Sequence, residues 1–180
     1  TTATNSFNTA IGYTAGGSVT TGTRNTLIGA LSGDNLSTGV KNVAVGTGAL
    51  GGDDVGSRST AVGDSALAAQ NFATATDSYN TAVGNNAGFS VTTGVNNTLI
   101  GGLTGDALTT GDFNVIVGNQ SDSTAVDSDK AQGFGFNLAC AAGFTTIGSG
   151  SDDIRAAHGN VTWATVSDQR YKKDIADSTA

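Results

Sequence analysis

Asn8-Thr9-Ala10-Ile11-Gly12, Asn25-Thr26-Leu27-Ile28-Gly29 and Asn42-Val43-Ala44-Val45-Gly46 are one five-residue unit written three times. It returns as Asn80-Thr81-Ala82-Val83-Gly84, Asn97-Thr98-Leu99-Ile100-Gly101 and Asn114-Val115-Ile116-Val117-Gly118, and Ser59 to Gly63 is a copy with Ser in place of Asn. The glycines at 12, 29, 46, 63, 84, 101 and 118 are spaced by 17, 17, 17, 21, 17 and 17 residues. A fixed period of this size marks a stacked, quasi-one-dimensional architecture in which each repeat contacts only its neighbours. Such a chain presents or spans something and rarely encloses an active site. The reading is an all-β repeat rod, a β-solenoid or β-roll of short strands.

Residues 8–46 and 80–118 align without a gap at an offset of 72, with 26 identities in 39 positions. A block of four rungs has therefore been duplicated whole. The longer fourth rung carries Ala68 to Asp77, read as an excursion between blocks. Each rung is expected to form two short strands, the first with outward Thr and inward Ile and the second ending in glycine, as in Ser18-Val19-Thr20-Thr21-Gly22.

Composition favours strands. All 15 acidic residues are Asp, and Glu, Met and Pro are absent, which removes two strong helix formers. Thr, Val and Ile fit a pleated surface, while Asn, Asp and Gly favour turns. Charged residues are 13% against roughly 25% in an ordinary domain, so Thr, Asn, Ser and Gly coat the surface. The missing Met and the start inside Thr-Thr-Ala-Thr-Asn read as an excised fragment or as a chain whose initiator Met has been removed.

The apolar core looks thin. Rung 80–96 offers Val83, Ala87, Phe89, Val91 and Val95, each worth roughly 1.5–3 kcal/mol or less when fully buried. Ordering 17 residues costs at least about 1 kcal/mol per residue in backbone entropy. Association of coils would bury a further face, and an obligate homotrimer is the expectation.

The Asn-Thr-Ala-Val-Gly rungs resemble the head repeats of trimeric autotransporter adhesins and related repeats of bacteriophage tail fibres, over roughly residues 5–120. Trp163-Ala164-Thr165-Val166-Ser167-Asp168-Gln169-Arg170-Tyr171-Lys172-Lys173-Asp174-Ile175 resembles the opening of the intramolecular chaperone, a self-cleaving peptidase domain, of phage tail fibres and tailspikes. The match runs through Ser167, Asp168, Arg170, Lys172 and Ile175, while Tyr171 stands where Leu is more usual. The resemblance implies one self-cleavage beside Ser167, between Ser167 and Asp168, with Ser167 as nucleophile and Lys172 as base. A lysine works as a base only when desolvation or neighbouring cations lower its pKa. Only 13 residues follow Ser167, so no cleavage is expected in this chain; an exposed Ser and Lys in a frayed tail is the competing reading.

Other candidates are weaker. The acidic run 122–129 lacks the glycine and terminal Glu of an EF-hand, and a solvated loop is the favoured reading. Asp53-Asp54 and Asp152-Asp153 read as turns. His158 is the only histidine, so a single chain can build no His cluster and no Ser–His–Asp triad. Cys140 reads as a small buried hydrophobe. No cofactor or metal is expected. A net charge of −7 argues against nucleic acid, and no signal peptide or 18-residue apolar run is present.

The expected organisation is a repeat rod over 1–120 and a transition over 121–150, with a possible last rung at Thr145-Thr146-Ile147-Gly148. A trimer-closing segment follows over 151–166, holding Ile154, Val161, Trp163 and Val166, and the truncated chaperone start occupies 167–180. The functional expectation is a structural shaft and host-attachment element of a phage tail fibre or tailspike. It would be synthesised in the host cytoplasm and carried on the virion tail, without membrane insertion. Its partners would be two further copies, other virion tail proteins and a host cell-surface receptor, a glycan among the candidates. The alternative is the head of a bacterial trimeric adhesin, and a third reading makes the Thr-rich face a carbohydrate- or ice-binding surface.

Overall fold

A computed structural model describes residues 6–159 and 164–165. In chain order the strands are β1 (Thr9–Ile11), β2 (Thr26–Ile28), β3 (Val43–Val45), β4 (Gly56–Ser57) and β5 (Thr60–Val62). Next come β6 (Thr76–Asp77), β7 (Thr81–Val83), β8 (Thr98–Ile100), β9 (Val115–Val117) and β10 (Asp122–Ser123). The last are β11 (Gln132–Phe136), β12 (Ala139–Cys140), β13 (Phe144–Ser149), β14 (Asp152–Ala157) and β15 (Ala164–Thr165).

The repeated unit makes one parallel sheet in the order β1-β2-β3-β5-β7-β8-β9-β11-β13, about eight solenoid turns, with β14 and β15 added antiparallel at the end. Register is kept throughout: Thr9 pairs with Thr26, Thr26 with Val43, Val43 with Thr60 and Thr60 with Thr81. At strand separations of about 4.8 Å, nine rungs span about 38 Å. The second segment of each rung is mostly turn and bend. Only β4 with β6, and β10 with β12, form short parallel pairs there, which corrects the expectation of two strands per rung.

The facing of the unit is also corrected. Residues two apart on a strand share a face, so Thr26 and Ile28 point to one side and Asn25 and Leu27 to the other. Leu27, Ala44, Ala61, Ala82, Leu99 and Ile116 are fully buried. The Ile/Val position faces out, with Val83 at 37% and Ile100 at 38% exposure. In rung 80–96 the core is Ala82, Ala87 and Val91, while Phe89 is exposed and Val95 half-buried. Leu36, Leu50, Leu67 and Leu108 complete the interior from the turn side.

Asn opens the unit because its side chain is a second peptide amide. Asn25, Asn42, Asn97 and Asn114 are fully buried. Each Oδ1 accepts the next rung's backbone N–H, as Asn25 does from Asn42 (2.9 Å) and Asn97 from Asn114 (3.0 Å). Each Nδ2 donates to a turn carbonyl 14 residues on, from Asn25 to Gly39 (2.9 Å) and from Asn97 to Gly111 (2.9 Å). Buried polar groups are tolerated when fully paired, and such amide ladders add to stacked β-structure.

Gly closes the unit because the chain turns there against the rung above. Gly101 has φ +135°, and a Cβ on it would collide with the carbonyl oxygen of Gly118. The period runs on to Gly135 in β11, one rung beyond the sequence reading of 1–120, and the expected rung at 145–148 forms β13.

Candidate functional site

Ser167, Asp168 and Lys172 lie outside the described residues, as do Val161, Trp163 and Val166. The described strands of the trimer-closing segment are β14, folded back on β13 with Ile147 opposite Ile154, and β15, antiparallel to β14; Ile154 is exposed. Function must therefore be read from the rod's surface and interior.

One candidate surface is the outer face of the parallel sheet. Its first column is Thr9, Thr26, Val43, Thr60, Thr81, Thr98 and Val115, and its second is Ile11, Ile28, Val45, Val62, Val83, Ile100 and Val117. Phe134 and Ile147 continue the second column and are each 40% exposed. Short β-branched residues in strict register make a flat, uninterrupted apolar stripe. Exposed apolar patches of this continuity mark interaction sites.

A second column occupies the residue before each Asn. Arg24, Lys41, Arg58 and Lys130 stand there with φ between 57° and 64°. Phe7, Tyr79 and Phe113 share the position with φ from 50° to 61°, and Asn96 completes it at φ 59°. Left-handed backbone suits Gly or Asn, and a side chain with a Cβ and bulk pays roughly 1–2 kcal/mol to adopt it. Burial does not offset that cost here, because Arg24, Lys41 and Lys130 are exposed and Tyr79 and Phe113 are each 52% exposed. Arg58 is anchored. Its Nε lies 2.8 Å from the Asp77 carboxylate and its guanidinium sits 5.6 Å from the Tyr79 ring centre. That is the one ion pair among the described residues.

The interior holds a polar cluster that the sequence reading missed. The amide ladder is interrupted at Ser59, where the rung is also four residues longer. Gln70, buried in the longer rung one period after Asp53, supplies the missing amide. Its Nε2 donates to Ser59 Oγ (2.8 Å) and Asp53 Oδ2 (2.7 Å), and its Oε1 accepts from Asn80 Nδ2 (2.8 Å). Asp53 is fully buried rather than part of a surface turn, and its Oδ1 accepts the Gly56 N–H at 3.0 Å. Burial pushes the Asp53 carboxyl above its usual range, against the hydrogen bonds from Gln70, Gly56 and Phe72. Asp153 lies in β14 and is also buried, which corrects its reading as a turn.

Within the acidic run, Thr124 to Asp127 are exposed, as a solvated loop would be, but Asp122 is half-buried. It accepts the Ala107 N–H (2.8 Å) and the Ser123 N–H (2.7 Å). Desolvation first, and a hydrogen bond and charge from Asp106 second, raise its carboxyl to about 6. Among the described residues no three His, Cys or acidic side chains converge as metal ligands, and no helix is long and apolar enough to cross a membrane. Cys140 is fully buried, as expected, and burial raises its thiol to about 12. His158 is exposed, with Nε2 3.3 Å from Thr145 Oγ1.

No family model, curated protein or solved structure matches this chain.

Proposed function

We propose that the chain is a shaft and host-attachment element of a phage tail fibre or tailspike, assembled as a homotrimer through the outer face of its parallel sheet. The observation that supports this most directly is the in-register Ile/Val column. On a rod coated mainly with Thr, Asn, Ser and Gly, seven consecutive rungs hold a β-branched apolar side chain at one outward position. Burying about 25 cal/mol per Å² along that stripe would supply what the narrow Ala- and Leu-lined interior lacks. A face that repeats every rung is complementary to a copy of itself, and duplication of a four-rung block lengthens the assembly without changing its cross-section.

The attachment role rests on the resemblance of the rungs to tail-fibre and adhesin repeats and of residues 163–175 to a chaperone opening. Under this reading Ser167 and Lys172 perform the maturation cut once a complete chaperone domain orders them. Light scattering is the test: about three times the 17.7 kDa chain mass is expected. Val83→Lys with Ile100→Lys, both outward, should dissociate the assembly and, with the stripe no longer buried, lower the melting temperature sharply. A folded wild-type monomer at micromolar concentration would overturn the assembly. Extension of the chain through the parent gene's next domain should give cleavage beside Ser167, absent in Ser167→Ala.

A further inference from the structure

We infer that the column before the asparagines is a binding track for a linear acidic polysaccharide running along the rod. The inference rests on the attachment reading and names the chemistry of the receptor.

Charge segregation is the first argument. The chain carries −7 overall, yet Arg24, Lys41, Arg58 and Lys130, four of the five described cations, share this one column. Arg24 and Lys41 occupy successive rungs with Arg58, and neither has an ion-pair partner among the described residues. With rungs about 4.8 Å apart, the three cations form a row about 10 Å long parallel to the axis.

Side-chain choice at an exposed corner is the second. The corner is left-handed in every rung, and Asn96 shows that a residue suited to that conformation fits the same place. Arg24, Lys41, Lys130, Tyr79 and Phe113 occupy it instead while exposed to solvent, so burial does not account for them. The same left-handed backbone recurs at Thr14, Leu31, Ser65, Leu103 and Gln120, so the run of cations and rings, rather than the backbone itself, is what sets this column apart.

The mixture identifies the ligand class. Cations pair with carboxylate or sulfate groups, and the exposed rings of Tyr79 and Phe113 offer flat faces for the C–H face of a sugar. Arg58, fixed by Asp77 and Tyr79, places a cationic and an aromatic contact side by side. A straight column of one side chain per rung suits an extended polymer better than a membrane plane. Double-stranded DNA, with a charge about every 1.7 Å of its axis, would be repelled by the −7 field of the whole chain more strongly than a glycan with one acid group per sugar or fewer.

The test is titration of the 180-residue chain with fluorescent polygalacturonate and hyaluronate, with uncharged dextran and a single-stranded DNA oligonucleotide as comparators. Expected is acidic-glycan binding that weakens with salt and falls at least tenfold in Arg24→Asn/Lys41→Asn, while that variant melts higher because Asn suits the corner. Tyr79→Asn and Phe113→Asn should also weaken binding, with little change in its salt dependence. Absence of acidic-glycan binding, equal binding of dextran, DNA binding as tight as the glycans, or wild-type affinity in Arg24→Asn/Lys41→Asn would each overturn the track. Adsorption of labelled chain to bacterial cells separates the two claims. Adsorption untouched by Arg24→Asn/Lys41→Asn refutes the track and leaves attachment standing. Glycan binding through the track without adsorption to any cell supports the track and counts against the attachment role.

Discussion

Replacement of Asn97 by Ala should destabilise the rod strongly, because it strands buried polar groups on two neighbouring segments. Asn97 is fully buried in the middle of the second ladder. Its Oδ1 accepts the Asn114 backbone N–H at 3.0 Å and the Asn114 Nδ2 at 2.9 Å, and its Nδ2 donates to the Gly111 carbonyl at 2.9 Å. Alanine leaves the Asn114 N–H and the Gly111 carbonyl buried without partners. Asn114 Nδ2 keeps its bond to Ser128 (2.7 Å) and adds little. Each stranded group costs about 1–3 kcal/mol, so the loss should total about 2–6 kcal/mol, a large share of an ordinary domain's 5–15 kcal/mol. The control is Asn35→Ala, where an exposed Nδ2 donates to the Gly51 carbonyl (2.7 Å) and water can replace it; about 1 kcal/mol or less is expected. The assay is urea unfolding followed by far-UV circular dichroism at fixed chain concentration, comparing midpoints at unchanged slope. Asn97→Ala within about 1 kcal/mol of wild type, or no more harmful than Asn35→Ala, would refute the argument that buried asparagines hold the rungs together.

Other outcomes follow from geometry and charge. Gly29→Val and Gly101→Val should lower the melting temperature sharply, since φ of +133° and +135° and the carbonyl of the next rung leave no room for a side chain, whereas Thr26→Val and Thr98→Val on the outer face should be near neutral. Asp53 and Asp122 are held above the unfolded value of 3.8, so the folded state binds their protons more tightly. Their contribution is favourable at low pH and is lost as pH rises; for Asp122 the window is about pH 4 to 6. Thermal melts should therefore gain stability on acidification from pH 7 towards 4.5, and Asp122→Asn should flatten that dependence. Cys140, raised to about 12, should react with an aromatic disulfide reagent only as the rod unfolds in urea, a point that absorbance at fixed urea concentrations checks directly.

The fold was legible because its period is written in five residues at a time. Only Gly135 keeps the spacing in the rung at 131–135, where Ala131, Gln132 and Phe134 replace Asn, Thr and Ile, so the motif does not reveal that rung. Hydrophobic identity is a poor guide to facing in this unit, where the Ile/Val position points outward and Asn points inward. Thr26 and Ile28 are two residues apart and must share a side, which the strand's own period decides. A usable signal was the recurrence of Asn at the first position while the second varied between Thr and Val, since buried amide pairing tolerates less change than a solvent-facing hydroxyl. The column of Arg24, Lys41 and Arg58 was visible as the residue before each Asn, but its left-handed backbone and exposure were not. Nothing local marked Gln70 as interior. Its role emerges only when Asp53, Ser59 and Asn80 are brought to it by the fold.

That longer rung has an engineering consequence. The four added residues leave the sheet untouched, for Val62 still pairs with Val83 as Val45 pairs with Val62. Thr74 and Ala75 stand exposed at the tip of the excursion, beyond buried Gln70 and Phe72. A foreign loop spliced at 74–75 would project sideways from the shaft while every register above and below stayed in phase, making this corner a port for display at a fixed height along the rod.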